Sequence, residues 1–239
     1  MTTSAQTTKR VAWLASGAIA AQVLFVAGWL VGGSIEGHGY SPARHDISDL
    51  GALTAHHTWL AVGTLAMSGG LTMAFAIWAL PPSLAASGGG ALGAVLVAFS
   101  LTSLDSLSDA FFRLDCRAAD TGCTMSHAAA SWHGKIHLIA FGVAAIATIV
   151  APFVLARRMR ALDEWRDLAG RARAFGYVTI AVLLAAMASS DSSVQGVTQR
   201  VAATLVPLGV VALAWRVRRV ATVPGVGFEP TRPLRDRGF

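Results

Sequence analysis

The apolar residues of this chain fall into six long blocks separated by short polar segments. A helix that crosses a membrane needs about 20 predominantly apolar residues. Four blocks reach or approach this length, and the third and fifth reach it when their polar ends are counted as interfacial. The pattern therefore predicts six transmembrane helices, with five as the alternative. The blocks cover residues 11–31, 59–80, 91–107, 136–155, 174–188 and 201–217.

The composition argues against a water-soluble globular protein. Of the 239 residues, 54% are hydrophobic and 13% are charged, whereas soluble domains carry about 25% charged residues. The first block follows Lys9 and Arg10, as the apolar part of a signal peptide would. It is long for such a peptide and lacks a small-residue cleavage site, so we expect an uncleaved first span. The predicted fold is all-α, an integral membrane bundle of six transmembrane helices.

Basic residues are distributed unequally between the two sides of this predicted bundle. One side holds the amino terminus, the loop of residues 157–173 and the tail, and it carries 14 of the 19 Lys and Arg residues. Loops rich in Lys and Arg stay in the cytoplasm, so both termini are predicted to be cytoplasmic and the protein to lie in the cell membrane. The net charge of +6 then reflects topology and attraction to anionic lipid. No interleaved aromatic pattern indicates nucleic-acid binding.

The chain is predicted to contain one folded unit. Residues 1–10 form a cytoplasmic amino-terminal segment, residues 11–220 the six-span membrane domain, and residues 221–239 a basic tail. The tail is rich in Pro, Gly and Arg and has no periodic pattern, so we expect no fixed fold. Its "GVGFEPTRP" resembles the peptide made when a reading frame runs through a transfer-RNA gene on the opposite strand. A frame overrun is therefore predicted, with an ordinary basic tail as the alternative.

The outer side of the predicted bundle holds all seven histidines and most of the acidic residues. This asymmetry predicts a polar vestibule that faces outward, and ionisable groups inside spans are treated as functional by default. Asp105 and Asp109 are four residues apart and share a helix face, as do His133 and His137. These four side chains could bind zinc with an open position for water, or relay protons. The alternatives are interfacial histidines and an Asp109 that pairs with Arg113 on the same helix.

Cys116 and Cys123 are the only cysteines, and both fall in the second outer loop. Disulfides persist on the outer side of a cell membrane, so a Cys116–Cys123 bridge is predicted. Two free thiols, or a metal site shared with His127, are the alternatives.

Three stretches resemble a bacterial and archaeal membrane family called domain of unknown function 998. They are "GYSPARHDISDLGA", "FFRLDC…WHGKIHLIA" and "VQGVTQRVA", in the same order as in the family. The resemblance covers about residues 11 to 220 and implies a six-span membrane protein without an established activity. The chain departs from the family pattern in the cysteine-bearing insertion before His133 and in lacking a Pro in "FRLD". The matching residues are Ser41, Pro42, Ser48, Asp49, Leu50, Gly51, Asp115, Gly134, His137, Gln199 and Arg200.

Two functions are compatible with these residues. The favoured one is binding or transport of a lipid or small molecule in an outward-facing polar pocket. The alternative is a membrane-embedded hydrolase that acts on lipid, with His133, His137, Asp105 and Asp109 around zinc. A weaker similarity to intramembrane hydrolases related to alkaline ceramidases does not reproduce their motif spacing. The sequence indicates the lipid bilayer as a partner and no particular oligomeric state. The pocket candidates are Ser48, Asp49, Asp115, His133, His137, Gln199 and Arg200.

Overall fold

The computed structural model describes residues 2–37, 39–85, 90–190 and 192–222, and this part of the chain is helical with no strand. The predicted tail lies almost entirely outside the described residues, which end at Thr222. Five helices are long and apolar enough to cross a membrane, and a pair of shorter helices bent by 42° supplies a sixth candidate. The predicted all-helical membrane bundle with five to six spans is confirmed.

We number the candidate spans 1 to 6 along the chain and count the bent pair as span 3. Spans 1, 4, 5 and 6 extend beyond their apolar blocks, because polar residues at the ends continue the helical hydrogen bonding. Span 1 therefore includes residues 2–10, which the sequence assigned to a separate segment. The spans are Thr2–Ile35, Thr58–Trp78, Ala91–Ala98 with Leu101–Asp109, Trp132–Met159, Arg166–Ala188 and Gln195–Thr222.

The six spans form a closed ring in which each span packs against the next and span 6 returns to span 1. The apolar core lies in the half of the bundle that we call the base, the end that carries residues 2–10, 79–85, 160–165 and 216–222. Phe75, Leu80, Leu84 and Trp165 are almost fully buried there. Alanines such as Ala18 line the helix contacts, because small side chains let helices approach closely in lipid.

Residues 36–57 and 110–131 form a structure at the other end of the bundle, which we call the cap. Its two segments are joined directly, since the Leu53 N–H donates to the Leu114 carbonyl (2.9 Å). The first segment also lies against the start of span 6. A Cβ on Gly196 would be 2.4 Å from the Pro42 carbonyl oxygen and 2.5 Å from that of His45. Glycine at this position therefore permits the close approach.

Candidate functional site

Arg200 attaches the first cap segment to span 6. Its Nη1 donates to the carbonyl oxygens of Pro42 (2.6 Å), His45 (2.9 Å) and Gly196 (2.9 Å). Its Nη2 donates to the Tyr40 hydroxyl. Burial raises the pKa of Tyr40 to about 12, although Arg200 opposes this shift, so the phenol stays neutral. Most donors of this guanidinium are therefore engaged by the cap itself.

Two glutamines on span 6 complete this attachment. The side-chain carbonyl of Gln199 accepts the Ile47 N–H at 2.5 Å, and the Gln195 amide donates to Asp46 Oδ2 at 2.8 Å. Burial raises the pKa of Asp46, and the hydrogen bond from Gln195 partly offsets that effect. Gln199 and Arg200 thus hold residues 40–47 in place.

A buried ion pair holds the two cap segments together. Glu36, 1% exposed, accepts from Arg117 Nη1 at 2.6 Å and from the backbone N–H groups of His56 (2.8 Å) and His57 (3.2 Å). Arg117 is 4% exposed and also donates twice to Asp120 Oδ1. Burial raises the pKa of Glu36, but the hydrogen bonds from His56 and His57 and the charge of Arg117 outweigh it and lower the pKa overall.

Asp49 and Asp115 have different surroundings within the cap. Asp49 Oδ1 accepts the Ala118 N–H at 3.1 Å, while its Oδ2 is buried without a hydrogen-bond partner. Burial accordingly raises the pKa of Asp49 to about 7. Asp115 Oδ2 accepts the Ser131 N–H at 2.7 Å, and the hydrogen bonds from Ser131 lower the pKa of Asp115. Ser48 begins the short 3-10 helix Ser48–Gly51 that carries Asp49.

The second cap segment is closed by a disulfide between Cys116 and Cys123. Arg113, which precedes this loop, donates to the carbonyl oxygens of Gly51 (2.6 Å) and Ala52 (2.8 Å). The expected pairing of Arg113 with the aspartate four residues earlier is therefore wrong. The guanidinium instead contacts the first cap segment, where these two backbone carbonyl oxygens accept its hydrogen bonds.

Span 3 is interrupted at Ser100, whose backbone is extended (φ −77°, ψ 169°). The interruption removes the helical partner of the Leu101 N–H, which instead donates to Thr148 Oγ1 on span 4 at 2.9 Å. Beyond this point the chain forms a π-helix over Leu101–Asp105 and then an α-helix over Ser106–Asp109. The continuous span predicted over residues 91–107 is thus broken in its middle.

The second half of span 3 carries a set of polar side chains that we call the buried polar cluster: Asp105, Ser108, Asp109 and His137. Asp105, Ser108 and Asp109 share one helix face. His137 Nδ1 on span 4 lies 2.9 Å from Asp109 Oδ1 and 3.1 Å from the Phe112 carbonyl oxygen, but only the second contact is aligned as a hydrogen bond. The Oδ1 atoms of both aspartates and the Ser108 hydroxyl are buried without a hydrogen-bond partner.

The two histidines of "SWHGKIHLIA" contact different parts of the protein. His137 is 7% exposed and contacts Asp109, whereas the His133 ring lies against Trp132, with 4.0 Å between ring centroids. His133 Nδ1 approaches the Phe111 carbonyl oxygen at 3.3 Å. Within the described residues, no three His, Cys, Asp or Glu side chains are arranged to hold a metal ion. A zinc site built from His133, His137, Asp105 and Asp109 remains a prediction.

The pocket candidates are thus divided among separate contacts. Gln199 and Arg200 attach residues 40–47, Asp49 contacts Ala118, and Asp115 holds the start of span 4; His137 alone reaches the buried polar cluster. The sequence did not single out the Glu36–Arg117 pair or the role of Thr148. The dense serine, threonine and aspartate residues in "SLTSLDSLSD" were the available signal for the interruption, because an uninterrupted lipid-facing span would not carry them.

None of the curated proteins and none of the solved structures compared with the chain is significantly similar to it. A family model described as "Protein of unknown function (DUF998)" matches residues 19–227. This confirms the resemblance inferred from the three sequence stretches, over nearly the same range. The chain belongs to this DUF998 family.

Proposed function

We propose that this protein binds a small cation, such as a protonated amine or an alkali-metal ion, at the buried polar cluster and transports it across the membrane. The observation that carries the proposal is that Asp105 Oδ1 and the Ser108 hydroxyl are buried without a hydrogen-bond partner, beside the ion pair of Asp109 and His137. Ionisable groups inside spans are costly and mark ion or substrate pathways. A bound ligand would supply the missing partners.

The charge of the cluster supports a cationic ligand. Asp109 lies beside His137, which compensates its charge when the imidazole is protonated. Asp105 forms no ion pair with any Lys, Arg or His in the described part of the chain. Together the two carboxyl groups offer oxygen ligands of the kind that hard cations prefer, and the single imidazole of His137 can balance the charge of only one of them.

The interrupted helix supports transport. Transporters commonly place their binding sites where a transmembrane helix is broken, because the freed backbone groups and nearby side chains can then face a ligand. In span 3 the break at Ser100 precedes Asp105 by five residues. Thr148 accepts a hydrogen bond from the freed Leu101 N–H, so a contact with span 4 stabilises the break.

The proposal includes the topology that the charges indicate. The base carries the residues rich in Lys and Arg, so it would face the cytoplasm and both termini would lie there. The cap, with its disulfide, would then face outward, where disulfides persist. The binding site would open toward the cap side of the cell membrane.

Thermal unfolding of the purified protein in detergent tests the binding site. The probes are the chlorides of sodium, potassium, choline and spermidine at matched ionic strength. A ligand at 100 times its dissociation constant stabilises a protein by about 2.7 kcal/mol, so at least one probe should raise Tm clearly. Asp105→Asn should abolish this increase. Asp163→Asn, whose side chain is 83% exposed at the base, should keep it.

The result would contradict the proposal if no cation raised Tm, or if Asp105→Asn responded like wild type. The stabilising cation is then tested for uptake into proteoliposomes, where Asp105→Asn should be inactive. The same preparations are analysed for zinc. Stoichiometric zinc that His137→Ala removes would favour the metal-dependent hydrolase instead.

A further inference from the structure

A cavity of about 370 Å³ lies between spans 3, 4, 5 and 6 in the half of the bundle nearer the base. This volume falls in the range of ligand sites, about 300–1,000 Å³. Its walls are almost entirely apolar, which favours a hydrocarbon occupant. The wall residues that define its shape are Val97, Ala151, Leu155, Leu168, Phe175 and Leu213.

The length of the cavity matches one leaflet of a bilayer. Along span 4 its lining extends from Thr148 to Met159, which is about 16 Å at 1.5 Å per residue. The hydrocarbon core of a bilayer is about 30 Å thick, so one leaflet contributes about half of that. At the inner end the hydroxyls of Ser100 and Thr148 already donate to the Val97 and Ala144 carbonyls. This end therefore requires no polar group from an occupant.

Arg171 lines the same cavity and supplies a positive charge toward the base. Two nearby acids are occupied, because Asp163 pairs with Arg166 at 2.6 Å and Asp167 pairs with Arg216. Within the described residues Arg171 has no ion pair of its own. An arginine can extend its head to the membrane surface while its stem stays in apolar surroundings, so its guanidinium can reach a phosphate.

We propose that this cavity binds one acyl chain of an anionic phospholipid whose phosphate is held by Arg171. The site is separate from the buried polar cluster and does not depend on the function proposed for it. The lipid would enter from the leaflet at the base.

Native mass spectrometry of the detergent-purified protein tests this proposal. The probes are phosphatidylglycerol and phosphatidylcholine with identical acyl chains, added at equal concentration. Wild type should retain phosphatidylglycerol about fivefold better, the factor expected from one basic residue near a membrane surface. Arg171→Gln should lose this preference. Arg173→Gln should keep it, because Arg173 is also exposed on span 5 but does not line the cavity.

A second pair of variants tests the acyl chain. Ala212 lines the cavity and is exposed, so Ala212→Phe should fill the space, leave the helix intact and reduce retention of both lipids. Ala181→Phe makes the same change at an exposed position of span 5 outside the cavity and should have no effect. Equal retention by these two variants would overturn the proposal. So would equal retention of the two lipids by wild type, or the same preference in Arg171→Gln and Arg173→Gln.

Discussion

Replacing Thr148 by valine should destabilise the protein, because its hydroxyl satisfies the backbone at the break in span 3. In a continuous helix the Leu101 N–H would donate to the Val97 carbonyl, but the extended conformation of Ser100 prevents this. Thr148 Oγ1, on a side chain 4% exposed, accepts that N–H at 2.9 Å. Valine has nearly the same shape and no acceptor, so it leaves the N–H buried without a partner.

The expected cost is about 1–2 kcal/mol. An unsatisfied buried donor costs about 1–3 kcal/mol in soluble proteins, and side-chain hydrogen bonds between helices in membranes average about 0.6 kcal/mol with a maximum near 1.7. Thr148→Ser keeps the acceptor and should recover most of the loss. The free energy of unfolding is measured by titrating SDS into mixed micelles and following helical circular dichroism.

Thr179 supplies the matched control. It is fully buried on span 5, yet its hydroxyl has no hydrogen-bond partner. Thr179→Val removes no hydrogen bond and should be neutral or slightly stabilising. Equal effects of the two valine substitutions would refute the reasoning, because they would show that the hydroxyl of Thr148 contributes nothing specific to the interrupted helix.

Three further predictions concern the cap. Arg117→Ala should lower the free energy of unfolding by about 3–5 kcal/mol, because the buried Glu36 carboxylate loses its charge partner. Arg44 is exposed, so Arg44→Ala should change this free energy by less than about 0.5 kcal/mol. SDS titration of both variants measures the difference. Reducing the Cys116–Cys123 bridge, which closes a loop of sequence separation 7, should cost about 2–3 kcal/mol, and the Cys116→Ser variant should no longer respond to reductant. Because the pKa of Asp49 is raised from 3.8 to about 7, the folded state binds an extra proton between these values. Stability should therefore fall as pH rises from about 4 to about 7, by up to about 4 kcal/mol at ~1.4 kcal/mol per pKa unit, and Asp49→Asn should lack this fall in a pH series of unfolding curves.

The helices could be predicted from the sequence because lipid imposes a local rule. Each spanning segment must satisfy its own backbone hydrogen bonds and cover itself with apolar side chains, so about 20 consecutive residues suffice to identify it. The interruption of span 3 breaks that rule through a contact with Thr148, 47 positions away from Leu101. A pattern within residues 91–107 contains no information about such a distant acceptor.

The candidate site was harder to predict because residue type does not show which donors are already engaged. Arg200 was expected to line a ligand pocket, yet its Nη1 donates to the Pro42 carbonyl, 158 positions away. Glu36 and Arg117 are 81 positions apart and neither stands out in its own segment. Asp105 and Asp109 were identified because four-residue spacing is local to one helix face. Long-range pairing thus decides which polar residues belong to the cap and which remain without a hydrogen-bond partner.

The distinction between satisfied and unsatisfied polar groups predicts opposite effects of substitution on stability. Arg200→Ala removes three hydrogen bonds that attach the cap. It should therefore lower the free energy of unfolding by at least about 2 kcal/mol, since bonds of charged donors contribute about 1.5–3 kcal/mol each. Asp105→Asn removes a buried carboxyl group whose Oδ1 has no hydrogen-bond partner, so without ligand it should raise the free energy of unfolding by about 0.5–2 kcal/mol, as substitutions at strained functional positions do. The same variant should lose the stabilisation by cations. If Asp105→Asn raises stability and abolishes the response to cations, Asp105 serves ligand binding rather than folding. If Asp105→Asn and Arg200→Ala both lower stability, the polar cluster serves to stabilise the fold, as the Arg200 contacts do.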